Sequence, residues 1–312
     1  MPGIGVIVNP HARGNRRDPA ARVTRMERIV DGHGVVRATP SLEAITDVVR
    51  EFRERGVDIL GICGGDGSDH CTLTAVDQVY GSAPWPLLLP LRAGTINYIA
   101  DDIGGRRGTP EQVLQRVVHA HKRGHPHVTT ERDVLRVNGE QLGFVLSFGT
   151  AVNFLRVYYA RETQGPVWAA RLLGRAIVSA MLGTHLARSI FQAVEADIIC
   201  DDEVLPFRQF TFFFAGTVRH VALGFQPTYL GDRKRGFCHV LGGPIAARRL
   251  VRYAVRVHRG FPTNDPQLYD NLCRRFTIRF ARPSHYMLDG DVLGPTDRLD
   301  VDVYRRLTFV KE

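Results

Sequence analysis

A chain of 312 residues with 44% apolar and 23% charged side chains has the profile of a soluble globular protein, long enough for two domains. Its 41 basic against 32 acidic residues leave a net charge of +9, carried by arginine apart from Lys122, Lys234 and Lys311. That excess suits phosphate-rich ligands or an anionic bilayer surface, with nucleic acid open on charge alone. The five cysteines are odd in number and form no C-x-x-C pair, which argues against a disulfide framework or a zinc site and for a reducing cytoplasm.

The N-terminus runs straight into an apolar strand, Ile4 to Val8, with no basic region and long apolar core, so no secretory leader is expected. Asp18-Pro19 then caps a helix to about Val30. Val35–Ala38 is a short extended piece. Ser41 starts a helix in which Leu42, Ile45, Val48, Val49 and Phe52 recur at helical spacing, and Gly56 ends it. Ile59–Cys63 reads as a buried strand that empties into Gly64-Gly65-Asp66-Gly67-Ser68, with a helix expected from about Thr72 to Tyr80. Glycines of this turn are expected to supply positive φ and to leave no Cβ between main-chain amides and a ligand, beside a helix start that favours an anion. The Walker pattern is absent, so this is a different phosphate device, and a carboxylate, Asp66, sits inside it. Pro86–Leu89 is a further buried strand, and Thr109-Pro110 opens a helix that stops at Gly124. Such alternation implies a parallel sheet with helices on both faces and ligands at the carboxyl ends of its strands.

Beyond His125-Pro126 the pattern changes. Val134–Val137 and Leu142–Phe148 flank Asn138-Gly139, a strong hairpin signal. Strands also read at Val194–Cys200, Phe210–Ala215, Phe237–Leu241, Phe276–Phe280 and Leu299–Val303, so a mainly antiparallel second domain, a β-sandwich, is expected. A helical insertion from about Phe154 to Ile190 carries Leu155, Tyr158, Trp168, Leu172 and Met181 among Arg156, Arg161, Arg171, Arg175 and Arg188. It reads either as helices with a solvated arginine face or as a wall facing anionic headgroups. Its longest charge-free run, Ala176 to Ala187, falls short of the roughly 20 residues a bilayer span needs. His119, His121, His125 and His127 straddle a helix end without metal-ligand spacing.

Three further segments stand beside the glycine turn: Val8-Asn9-Pro10-His11-Ala12-Arg13-Gly14, Leu89-Pro90-Leu91-Arg92-Ala93-Gly94-Thr95-Ile96-Asn97, and Met287-Leu288-Asp289-Gly290-Asp291. In this order and spacing the four resemble the diacylglycerol kinase catalytic-domain family, which includes bacterial lipid kinases and sphingosine and ceramide kinases. The resemblance implies an N-terminal nucleotide-binding α/β domain like phosphofructokinase and NAD kinase over residues 1–127. It implies a lipid-substrate β-sandwich over 128–312, whose last residues are expected to pack back on the first domain. The implied cofactors are ATP, against Gly64, Gly65, Gly67 and Ser68, and Mg2+, with Asp66. Asn9, Pro10, Thr39, Gly94, Thr95 and Asn97 would line the same pocket. Asp291 falls where the family has a glutamate acting as general base on the lipid hydroxyl, beside Asp289.

The implied activity is transfer of the γ-phosphoryl group to a lipid hydroxyl, diacylglycerol by default. The implied setting is cytoplasmic with peripheral contact at the inner membrane face and no nucleic acid, the oligomeric state (a homodimer included) being open. The chain departs from the family in four places. His70-Cys71 stands where Asn-Glu or His-Glu is usual, Tyr98 follows Asn97 where Asp is common, Asp291 is one methylene shorter than glutamate, and Arg235 precedes Gly236 where bacterial members place a magnesium-binding Asp. The alternatives are an NAD kinase, which shares the Gly-Gly-Asp-Gly turn but leaves Asp289-Gly290-Asp291 unexplained, and a weakened lipid- or nucleotide-binding member of the fold.

Overall fold

The computed structural model describes residues 3–161 and 165–311. It forms two compact units, Met1–Arg132 with Arg306–Glu312 and Asp133–Arg305.

The first unit runs β1 (Ile4–Val8), α1 (Pro19–Val30), β2 (Gly34–Ala38), α2 (Leu42–Glu54), β3 (Ile59–Gly64), α3 (Asp66–Tyr80), β4 (Leu87–Arg92), α4 (Tyr98–Asp102) and α5 (Pro110–Lys122). Every residue of β1 and β3 is buried, as strands covered on both faces require. The strands pair in parallel in the order β4-β3-β1-β2, and the C-terminal strand joins β4 with Phe309 opposite Leu88. Helix starts follow local chemistry. The Asp18 and Ser41 side chains accept from Ala21 N and Ala44 N, and Thr109 and Gln112 form a reciprocal capping box at α5. Glu111 in the first turn of α5 holds Arg22 and Arg25 of α1, tying the two helices together.

The second unit continues with β5 (Thr129–Val137), β6 (Gln141–Gly143), β7 (Val145–Gly149), α6 (Thr150–Tyr159), α7 (Pro166–Leu182), α8 (His185–Ile190), β8 (Val194–Cys200), β9 (Glu203–Val204), β10 (Gln209–Phe210) and β11 (Phe212–Gly216). Then come β12 (Cys238–Gly243), α9 (Ala247–His258), β13 (Tyr269–Cys273), β14 (Arg275–Leu288) and β15 (Asp291–Val310). Its strands pair antiparallel in the order β13-β12-β11-β7-β14-β15, and β8 lies on the first half of β14. The core is aromatic: Phe148 stacks on Phe213 at 5.0 Å between ring centres and meets Phe280 edge-on at 5.2 Å. The expected fold class is what the chain adopts, a parallel α/β unit followed by a mainly antiparallel one.

Three local expectations change. The helix after the glycine turn starts at Asp66, a turn and a half before Thr72, because Gly65 is its N-cap and Ser68 already occupies the third helical position. Helix α9 had no counterpart in the sequence reading. The last two strands are also far longer than the pieces read at Phe276–Phe280 and Leu299–Val303. No helix among the described residues is long and apolar enough to cross a membrane.

Candidate active site

In the first unit the loops after β1, β3 and β4 leave from the same ends of adjacent parallel strands. Main-chain bonds stitch them together: Asn9 N donates to Cys63 O at 3.1 Å, Ala93 N to Gly64 O at 2.8 Å, and Gly14 N to Ala93 O at 2.8 Å. The Asn9 amide donates to Ser68 Oγ at 2.8 Å, and its carbonyl oxygen accepts His11 N at 2.8 Å. Asn15, absent from the sequence-based site, is 1% exposed and donates to both Asn9 O and Cys63 O. Its place just after Gly14, in a polar loop leaving a buried strand, was the available signal. It also accepts from the Cys63 thiol, whose pKa burial pushes up to about 12, so that thiol is inert.

The glycines act by closeness rather than by unusual φ. Gly64, Gly65, Gly67 and Gly94 are all outside the positive-φ set, and Gly65 is extended at φ −113°. A Cβ on Gly94 would stand 2.4 Å from Gly65 Cα, one on Gly65 2.9 Å from Gly94 Cα, and one on Gly64 2.2 Å from Ser68 Cβ. Two bare main chains therefore touch at the start of α3. The first turn of α3 carries the partial positive charge of a helix N-terminus, while Gly65 N, Ser68 N and Gly94 N donate to Ser68 Oγ, Gly65 O and Asn97 Oδ1. Pro10 and Thr95 sit in the same loops. Thr39, just past β2, is 3% exposed with a hydroxyl that has no partner among the described residues. Gly67 lies in the first turn of α3.

Asp66 and Asn97 have other tasks. Asp66 is 8% exposed, and its carboxylate accepts from Asn97 N at 3.0 Å and Ile99 N at 3.2 Å, capping the short helix α4. Asn97 adopts a left-handed φ of 57° and folds its side chain onto Gly94, accepting from its N at 2.8 Å and donating to its O at 3.2 Å. A magnesium ligand needs oxygens turned outward to an octahedral shell. Both Asp66 oxygens are turned to main-chain amides. Asp66 therefore turns no oxygen outward for a resident magnesium ion. In the second unit the amide of Gly236 is taken by the Asp133 carboxylate at 2.7 Å, and Arg219 pairs with Asp232.

The late acidic pair lies in the second unit, at the turn from β14 to β15. Leu288 pairs with Asp291, so Asp289 and Gly290 form a two-residue hairpin loop with φ of 49° and 95°. Asp289 is 2% exposed, and its carboxylate accepts from Phe144 N at 2.9 Å and Val145 N at 2.8 Å. Its own N donates to Val145 O at 3.0 Å. Asp289 thus pins the hairpin tip to the start of β7. Asp291 is the half-buried first residue of β15. Tyr159 of α6 donates to Gly290 O at 3.3 Å, and the Arg156 guanidinium lies 2.6 Å from His285 Nδ1. Partial burial, then the Arg156 charge, pulls the His285 pKa below the usual histidine range. The structure brings the predicted nucleotide residues of the first unit into one loop cluster and gives Asp289 and Asp291 different environments.

Comparison with known proteins places this geometry. No curated protein matches the sequence. Two solved structures from Bacillus anthracis str. Sterne, both bearing the name diacylglycerol kinase, share the fold: one at TM-score 0.72 and 13% identity, the other at 0.67 and 14%, each covering 100% of this chain and 97% of its own. The diacylglycerol kinase catalytic domain matches residues 3–128, which include every loop of the glycine cradle. Over residues 3–128, then, the chain is similar to the diacylglycerol kinase catalytic domain, and that similarity indicates a kinase phosphotransferase.

Proposed function

We propose that the protein transfers the γ-phosphoryl group of ATP to the hydroxyl of a membrane lipid, diacylglycerol being the default acceptor. The observation that carries this is the contact of Gly65 with Gly94 at the N-terminus of α3, a cradle that any side chain would fill. Phosphoryl transfer asks mainly for positioning and neutralisation of phosphate charge, to which the positive end of α3 contributes. The donor would arrive as MgATP, its cation carried by the phosphates. Asn9, Ser68 and Asn97 hold the cradle's loops together, and the unpartnered Thr39 hydroxyl is a group a bound nucleotide could satisfy.

Asp291 is assigned as general base. Its carboxylate takes the proton of the lipid hydroxyl, the freed oxygen bonds to the γ-phosphorus, and the bond from that phosphorus to the β–γ bridging oxygen breaks, releasing ADP. Asp289, its oxygens held by amides, is a positioning residue that fixes the hairpin from which Asp291 projects. The acceptor lives in a bilayer, so the protein meets a membrane peripherally.

The test offers ATP with a total lipid extract and, separately, with NAD, and identifies phosphorylated products by mass spectrometry. Lipid-dependent transfer that Asp291→Asn abolishes supports the proposal. Phosphorylation of NAD, or nucleotide binding with no transfer to any lipid, would sink it. The second of these outcomes is the binding-only reading, which the commitment of Asp66 to α4 favours.

A further inference from the structure

Two stretches of the second unit contain no acidic residue: Gly165 to Val194, and Arg233 to Asn264. The first carries Arg171, Arg175 and Arg188; the second has eight basic residues, five of them Arg248, Arg249, Arg252, Arg256 and Arg259 on α9 and its C-cap. The helices of these stretches, α7 and α9, pack on each other.

Helix α9 is divided by function. Leu250 and Tyr253 pack on the apolar cluster of Phe212, Leu241, Ile245 and Leu268. Asp265 anchors the same side, accepting from the Tyr253 hydroxyl at 3.0 Å and pairing with Arg249 at 2.7 Å. The opposite face is a row of exposed residues at helical spacing, Arg248, Arg252, Val255, Arg256 and Arg259. Among the described residues, Arg248, Arg252 and Arg259 pair with no carboxylate. Val255 is 62% exposed within this row, and Phe261 just after the helix is 54% exposed. Helix α7 repeats the arrangement: Arg171, Arg175, Val178 and Leu182 follow one another on its exposed face, with Leu182 70% exposed.

We infer that the α7–α9 face of the second unit is the surface by which the protein docks on a bilayer containing anionic lipids. Unopposed arginines alone would suit any polyanion. A bilayer is selected because apolar side chains lie in the same rows, where an acyl layer covers them and a phosphodiester backbone does not. The choice of a lipid surface also rests on the lipid-kinase reading above.

The test is sedimentation of the full chain with phosphatidylcholine vesicles and with vesicles containing one-third phosphatidylglycerol, at low and high salt. Binding is expected on the anionic vesicles only and should weaken with salt. Each basic residue at such a surface is worth about fivefold in affinity, so Arg248→Ala, Arg252→Ala and Arg259→Ala together should weaken it by about 100-fold. Val255→Asp with Leu182→Asp should weaken it further, and all variants should keep the wild-type melting temperature. Turnover on detergent-dispersed lipid should be unchanged, since these residues lie outside the proposed machinery. Equal binding to both vesicle types, or arginine variants that bind like wild type, overturns the inference. So does tighter binding to an RNA or DNA oligonucleotide through the same arginines. A protein that docks as described but phosphorylates no lipid supports the docking face and refutes only the proposed function.

Discussion

Replacing Gly94 by alanine tests the reasoning behind the glycine cradle most directly. The added Cβ would lie 2.4 Å from Gly65 Cα, 3.3 Å from Gly65 N and 2.9 Å from Asn97 Oδ1. An ordinary carbon–carbon contact begins near about 3.5 Å, so the two loops must part by about 1 Å. Neither partner yields easily. Gly65 is the N-cap of α3, and the Asn97 side chain is held by two bonds to Gly94 itself. Overpacking of this kind costs about 1–3 kcal/mol, read as a fall in melting temperature of about 2–4 °C per kcal/mol. The functional loss should be larger, because a misplacement of about 1 Å at a reacting centre costs about 100-fold in rate. Thermal denaturation and lipid-dependent phosphate transfer measure the two effects separately. Gly174→Ala is the matched control: it lies exposed in α7 with nothing within 4 Å of its Cβ position, so it should stabilise by about 0.5–1 kcal/mol. A Gly94→Ala protein that melts like wild type and binds ATP as tightly would refute the argument.

Further outcomes follow from the same geometry. Asp289→Ala leaves the buried amides of Phe144 and Val145 without their acceptor, at about 1–3 kcal/mol for each, which chemical denaturation will read. Asp291→Glu, which restores one methylene of reach, should retain lipid-dependent turnover where Asp291→Asn abolishes it; turnover surviving in the asparagine variant rules Asp291 out as base. Thr39→Val removes a buried hydroxyl that has no partner, so it should leave stability equal or raised while increasing the KM for ATP. Glu111 is opposed by burial, but its bonds to Arg25 and Arg22 prevail and hold its pKa below the usual glutamate range. Its stabilisation is therefore complete above the ordinary glutamate pKa and is lost as the pH falls through the lowered folded value. Melting temperature followed from pH 7 to pH 3 should converge between wild type and Glu111→Gln at the acid end.

The parts of the fold legible in the sequence are those where one local rule decides. Ile4–Val8 and Ile59–Cys63 are unbroken apolar runs, and only strands covered on both faces accept them. Asp18-Pro19, Ser41 and Thr109-Pro110 mark helix starts because each places an acceptor where first-turn amides need one. The start of α3 was illegible because Gly-Asp-Gly-Ser has turn composition. What makes it helical is tertiary: Asp66 is bonded to the amides of residues 97 and 99, which are remote in sequence. Strands β14 and β15 were read short for a related reason, since many of their residues face solvent and break the apolar alternation. Helix α9 is the reverse case, with Leu250, Tyr253 and Val257 at helical spacing among arginines, hidden between Gly-Gly-Pro and Gly-Phe-Pro flanks that read as loop.

The candidate site shows the same division between what a motif states and what packing decides. The sequence brought Asp66, Asp289 and Asp291 forward as acids in glycine-containing turns, where any carboxylate looks available for chemistry. In the folded chain two of the three are spent on main-chain donors, Asp66 on residues 97 and 99 and Asp289 on residues 144 and 145. A carboxylate that accepts from amides is stabilised as the anion and makes a weak base, because each bond would have to be given up for it to bind a proton. Asp291, the half-buried first residue of β15, is the third of these acids and the one proposed above as general base. The glycines divide similarly. Their spacing resembles a turn that needs positive φ, yet their function in the fold is to let residues 65 and 94 touch. An alanine at either position would be acceptable to the local backbone and unacceptable to the neighbouring loop, a distinction that only the three-dimensional arrangement can make.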